Sequence, residues 1–244
     1  MNSDTATKLI ELNQLFYQTF ALQFSQTRER LQPGVQRILG SLPLTANILD
    51  LGCGNGELAA QLARRGHQGV YVGLDFSSGL LDKVQERLPL ELKAVFLQAD
   101  LSKPGWVENV PHVPFDYILA FAVFHHLPGH ELRRLALLAA HSLLAPQGRL
   151  IHSEWQFLHS PRLVARLLPW ESIGLAPALV DPGDYLMDWR QGGFGRRYVH
   201  FFTPAELEAL AAGSGFKVLD TFFSDGENGK LGLYQTWEKL IFRS

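Results

Sequence analysis

Asn47-Ile-Leu-Asp-Leu-Gly-Cys-Gly-Asn-Gly-Glu57 decides how this chain is read. An apolar run ends in Asp50, glycines follow at 52, 54 and 56, and a helical pattern opens immediately. Strand, glycine turn and helix together bring backbone N–H groups and a helix N-terminus up to a nucleotide-like ligand. Taken alone, the three glycines are equally a tight turn at the first crossover of any α/β fold. The flanking sequence has to separate the two readings.

Downstream, the signal repeats. Val70–Asp75 reads as a second strand ending in an acid, 25 positions after Asp50, close to the offset of a ribose-binding carboxylate on the neighbouring strand. Asp75 could equally cap a helix opened by Ser77 and Ser78. Val95–Asp100 is a third strand with a terminal acid, placed to accept a bond from an exocyclic amine. Phe115–Ala122 is a fourth, continuously apolar after Asp116, as a central parallel strand covered on both faces should be. It runs into Val123-Phe-His-His-Leu127, so His125 and His126 fall just beyond a strand's carboxyl end, where α/β sites form. Either histidine could take a proton there, or merely pack and cap the next helix. His130–Leu144 is an amphipathic helix, and Arg149–Glu154 a fifth strand. Gly66 is placed to close the first core helix in a left-handed conformation.

Upstream, residues 4–31 carry Leu9, Leu12, Leu15, Phe16, Phe20 and Phe24 at roughly helical spacing, which predicts an amphipathic arm. Pro33 opens a further short helix that Pro43 ends. Beyond strand five the periodicity lapses. Residues 156–200 hold four prolines and the glycines 192, 193 and 195, with one helix expected over Pro161–Leu168. This stretch carries Arg162, Arg166, Arg190, Arg196 and Arg197 interleaved with Tyr185, Trp189, Tyr198 and His200. Such a mixture can bind phosphates and stack bases, or pack on Asp181, Asp184 and Asp188. Thr203-Pro-Ala-Glu206 has the form of a capping box with its proline in place. Phe216–Ser224 and Leu231–Phe242 then make a hairpin through Asn228-Gly229.

Composition narrows the class. The 244 residues carry a net charge of −2, so no global positive field marks a nucleic-acid binder. The single cysteine, Cys53, excludes an intrachain disulfide framework and a multi-cysteine zinc site, and no metal is expected. No apolar run reaches the roughly 20 residues of a membrane span. The expectation is a cytoplasmic protein, monomer or homodimer, without a membrane association.

The motifs Leu49–Gly56, Gly73-Leu-Asp-Phe-Ser77, Gln98-Ala-Asp-Leu101, Val123–Leu127 and Leu144-Ala-Pro-Gln-Gly148 resemble the class I S-adenosylmethionine-dependent methyltransferases over nearly the whole chain. The resemblance implies a doubly wound α/β fold, a mostly parallel seven-stranded sheet of order 3-2-1-4-5-7-6 with its last strand antiparallel. It implies an arm over 1–43, a cofactor core over 44–155, a substrate-side insertion over 156–202 and a closing helix and hairpin over 203–244. S-adenosylmethionine would lie against Asp50, Gly52, Cys53, Gly54, Gly56, Asp75, Phe76, Asp100, Leu101 and Phe121. Two more segments, Phe24-Ser-Gln-Thr-Arg28 and Arg197–Leu207, resemble the tRNA methyltransferases that esterify the carboxymethyl group of wobble uridine. On that resemblance Arg28, Arg197, Tyr198 and His200 approach the acceptor, His125 and His126 the transfer site, and tRNA and a small activating subunit become partners. A small-molecule O- or N-methyltransferase shares the common motifs, and a non-catalytic partner subunit of the same fold is the rival from another class.

Overall fold

The computed structural model describes residues 1–21, 23, 30–84 and 92–241. Its main layer is a seven-stranded sheet built from β1 (Ile48–Leu51), β2 (Tyr71–Asp75), β3 (Ala94–Gln98), β4 (Phe115–Phe121), β5 (Leu144–Trp155), β9 (Phe216–Ser224) and β10 (Gly232–Lys239). The strand order is β3-β2-β1-β4-β5-β10-β9. β1 through β5 run parallel, and β10 is antiparallel to both β5 and β9. This is the doubly wound, mostly parallel order that the family resemblance implies.

The flanking helices are α1 (Ser3–Thr19), α2 (Pro33–Ser41), α3 (Glu57–Arg64), α4 (Ser78–Leu81), α5 (His130–Leu143), α6 (Pro161–Val164) and α7 (Pro204–Gly213). One apolar cluster joins Leu49, Val72 and Ile118 of the sheet to Leu137 of α5 and Leu210 of α7. On the opposite face Ile48, Tyr71 and Leu119 pack with Ile38 of α2 and Leu62 of α3. Parallel strands buried on both faces need continuous apolar runs, which is why β1 and β4 carry them. Gly66 does close α3 at φ 76°.

Two local expectations are corrected. The segment 156–200 holds a second, three-stranded antiparallel sheet: β6 (Leu167–Leu168), β7 (Asp184–Trp189) and β8 (Gly195–His200). The helix expected over Pro161–Leu168 stops at Val164, because Leu167 and Leu168 pair with Met187 and Leu186. The capping box at α7 is half made. Thr203 accepts from the Glu206 N–H at 3.2 Å, but the Glu206 carboxylate turns to His200 instead of reaching back.

α1 packs on the second sheet, with Leu9 and Phe16 buried and Leu15 63% exposed. Asn13 substitutes for a neighbouring strand at β8. Its Oδ1 accepts from the Tyr198 N–H at 2.8 Å, and its Nδ2 donates to the Tyr198 carbonyl oxygen at 3.1 Å. The amide therefore closes one position of a sheet edge and anchors the arm there.

Candidate active site

A cleft opens at the carboxyl ends of β1, β2 and β4, floored by the glycine turn and roofed by α1. The turn is held by backbone bonds: Gly52 and Cys53 donate to the Leu74 carbonyl oxygen at 2.7 and 2.9 Å. Gly52, Gly54 and Gly56 all have positive φ. A Cβ on Gly52 would fall 2.7 Å from Val123, whereas one on Gly54 would meet nothing within 4 Å. The backbone at Gly54 thus faces open space, a cradle for close approach.

Three acids line this cleft. Asp50 is fully buried and accepts from the Tyr71 hydroxyl at 2.5 Å. Burial pushes its carboxyl up, the Tyr71 bond pulls it back, and the neighbouring Asp75 raises it again, to about 7. Asp75 accepts from the Gly54 N–H and the Ser77 N–H, each at 2.9 Å. It therefore orders the glycine turn and helps open the next helix while its carboxylate stays at the cleft wall. Burial raises it above the ordinary carboxylate range, and the backbone donors offset only part of that. Asp100 accepts from Ser102 Oγ at 2.6 Å and from Gln14 Nε2 of α1 at 2.8 Å. Phe76, Leu101 and Phe121 also line the cleft. Gly56 lies behind it, where a Cβ would press on Val84 at 3.0 Å. The Cys53 thiol is pushed well above its ordinary value by burial and by Asp50 and Asp75, so it is no nucleophile.

The histidines separate. His126 lines the cleft, with Nε2 2.7 Å from the Tyr17 hydroxyl. His125 is buried behind it, its Nδ1 2.8 Å from Glu154. Glu154 also binds His152 Nδ1 at 3.0 Å. Burial alone would raise the Glu154 carboxyl, but the bonds to both histidines outweigh it and hold the group below the usual range.

The remaining acceptor candidates lie away from the cleft wall. Arg197 is buried with its guanidinium 4.8 Å from the Trp155 ring centroid and 5.3 Å from that of Phe16. The Tyr198 hydroxyl donates to Asp184 at 2.6 Å and accepts from Arg133 at 2.7 Å. His200 bridges Asp184 and Glu206 at 2.7 and 2.8 Å. Burial would lower the His200 imidazole, and the two carboxylates raise it beyond that loss. These groups tie the second sheet to α5 and α7. Arg28 lies outside the described residues.

Sequence reasoning missed Tyr17, Gln14 and Glu154. Glu154 carried a readable signal, being a polar residue at the end of an apolar strand like Asp50 and Asp75. Tyr17 and Gln14 carried none, because their partners are more than 80 positions away. Among the described residues no cluster of histidine, cysteine or carboxylate side chains can hold a metal ion, and no helix is long and apolar enough to cross a membrane.

The model of a methyltransferase domain matches residues 24–221. A protein of Encephalitozoon cuniculi described as a methyltransferase is 30% identical over 209 residues, 84% of this chain and 87% of its own. Trans-aconitate 2-methyltransferase of Paracidovorax citrulli is 35% identical over 159 residues, covering 62% of this chain and 57% of that protein. The structure of magnesium protoporphyrin IX methyltransferase from Synechocystis PCC 6803 with bound S-adenosylmethionine shares the fold. Its TM-score is 0.53 at 18% identity, over 84% of this chain and 76% of that one. The glycine-floored, acid-lined cleft and these matches agree: the chain belongs to the methyltransferase-domain family and is an S-adenosylmethionine-dependent methyltransferase.

Proposed function

We propose that the protein transfers the methyl group of S-adenosylmethionine to a small molecule. The observation that carries this reading is the fate of the arginines. A tRNA acceptor calls for a continuous basic face from Arg28 across Arg162, Arg166, Arg190 and Arg197, of which Arg28 lies outside the described residues. Instead Arg166 and Arg190 are both bound to Asp188, at 2.8 and 2.6 Å. Arg197 is buried among aromatic rings, and Arg196 donates to the Ser172 carbonyl oxygen at 2.9 Å. Arg197 is thus buried and the charges of Arg166 and Arg190 are shared with Asp188, which leaves the exposed Arg162 and Arg190 apart from any continuous run of uncompensated charge. The resemblance to trans-aconitate 2-methyltransferase points the same way.

The residues of the cleft suit the cofactor. The backbone opening at Gly54 admits its amino-acid end, and the buried Asp50 is placed to receive an ammonium, whose charge would draw the carboxyl back to its ionised form. Asp75 is placed to receive a ribose hydroxyl, since the backbone donors of Gly54, Ser77 and Phe76 do not exhaust the lone pairs of its two oxygens. Asp100 and Leu101 stand at the far end for the base. When bound, the cofactor supplies an electrophilic methyl group on a sulfonium. The chain's own work is to align an acceptor with that carbon and keep water out, which α1 does by roofing the cleft.

The test is methyl-label incorporation into two separated fractions, total tRNA and total small molecules. Label in the small-molecule fraction supports the reading, and label confined to tRNA refutes it.

A further inference from the structure

The imidazole of His126 is pinned at both nitrogens. Its Nδ1 lies 3.3 Å from the Tyr198 carbonyl oxygen, which can only accept, so Nδ1 carries the proton. Nε2 then presents a lone pair, and the Tyr17 hydroxyl donates to it at 2.7 Å. Both side chains line the cleft. Tyr17 is held edge-on against Phe76 and against the His126 ring itself. Asn13, one turn earlier on α1, donates to the His126 carbonyl oxygen at 3.2 Å. The arm therefore delivers a phenol to a histidine whose tautomer is already set for receiving a proton.

The surroundings favour that direction of transfer. His125 lies against His126 with ring centroids 4.3 Å apart, and Glu154 stands directly behind it. Glu154 balances the protons of His125 and His152, so no net positive charge need face His126 from behind.

We propose that Tyr17 and His126 form the proton-accepting pair of this site, and that the acceptor is a small molecule presenting a hydroxyl or an amine, not a carboxylate. The proposal rests on the methyltransferase reading above and names its acceptor class. A carboxylate is already a nucleophile and leaves a base without work, whereas a hydroxyl or amine has a proton to lose. In the step, a lone pair of the acceptor oxygen or nitrogen forms the bond to the methyl carbon. The carbon–sulfur bond breaks and its electron pair stays on sulfur. The acceptor proton passes to Tyr17 Oη as the Tyr17 proton passes to His126 Nε2, and the imidazolium later releases it to solvent.

The test uses the full chain, S-adenosylmethionine with a labelled methyl group, and a small-molecule extract, with trans-aconitate alone as the carboxylate probe. Products are treated with mild alkali, which releases the methyl of a carboxylic ester as methanol and leaves ethers and methylamines intact. The label is expected to be retained. His126→Asn should slow transfer by about 10²- to 10⁴-fold, the range of general-base catalysis, and Tyr17→Phe by less. Calorimetry should find both variants still binding S-adenosylmethionine. Tyr17→Phe should also move the acidic limb of the pH–rate profile upward, because the lost bond favoured neutral His126. Label released as methanol, efficient labelling of trans-aconitate, or variants that bind the cofactor and keep the wild-type rate and pH profile would each overturn the proposal. A wild-type chain that binds no S-adenosylmethionine would instead overturn the methyltransferase reading.

Discussion

Asp50→Asn should make the ligand-free protein more stable in neutral solution and no more stable in acid. The wild-type carboxyl titrates at about 7 in the fold against an ordinary 3.8, chiefly because it is buried. Between those two values the folded chain holds a proton that the unfolded chain has released, so stability falls as the pH rises through that window. The separation is about three pH units, and at 1.36 kcal/mol each the cost of an ionised Asp50 above pH 7 is at most about 4 kcal/mol. Asparagine keeps the shape and still accepts from Tyr71, but it has no charge to bury. Urea unfolding of both proteins at pH 4 and pH 8, without cofactor, reads the difference directly. The variant's midpoint should exceed the wild type's at pH 8 and approach it at pH 4. Saturating S-adenosylmethionine should shrink the gain at pH 8, because a cation beside Asp50 restores the value of its charge. Equal differences at both pH values, or a variant destabilised at pH 8, would refute the reasoning.

Further perturbations test other joints of the structure. Gly34→Ala places a methyl group 2.4 Å from the buried Tyr234 ring, and chemical denaturation should show a loss of about 1–3 kcal/mol. Arg133→Met leaves Asp184 without the buried guanidinium at 3.5 Å, and the same assay should find a loss of about 3–5 kcal/mol. His200 gives a contribution of the opposite proton sense to that of Asp50: its folded value is raised, so its stabilisation is complete below pH 6.5 and fades as pH climbs through the higher folded value. Thermal melts of His200→Gln should lack that alkaline decline. Gly52→Ala, strained at φ 72° and crowded by Val123, should weaken S-adenosylmethionine binding in a calorimetric titration.

What the sequence disclosed follows from how local each signal is. The glycine turn and the strand-terminal acids could be read because each rests on a few adjacent residues, and the central strands because their apolar runs announce burial on both faces; the strand order came from the family resemblance. The second sheet escaped notice for a physical reason. β7 and β8 are buried along nearly their whole length, between α1 on one side and Phe157 and Leu163 on the other. No alternation of polar and apolar residues survives there, and Asp184, Asp188 and Arg197 look like surface residues until their partners are known. The glycines at 192 and 193 turn the chain between the two strands, with φ of 71° and 142°, where the sequence suggested a loop. Arg197 and His200 carry the resemblance to the wobble-uridine enzymes, yet Arg197 packs into an aromatic cage and His200 joins two carboxylates. Residue type alone does not tell a buried tie from a ligand contact. The pair at Tyr17 and His126 needed the fold, since 109 positions separate them.

S-adenosylmethionine is expected to bind in the cleft above Gly52–Gly56. Isothermal titration of the cofactor into the full chain measures this, with Asp75→Ala as the paired protein. One-site binding in the micromolar range is expected for the wild type, and sharply weaker binding for the variant. Absence of binding to the wild type, or equal affinity for the two proteins, would contradict it.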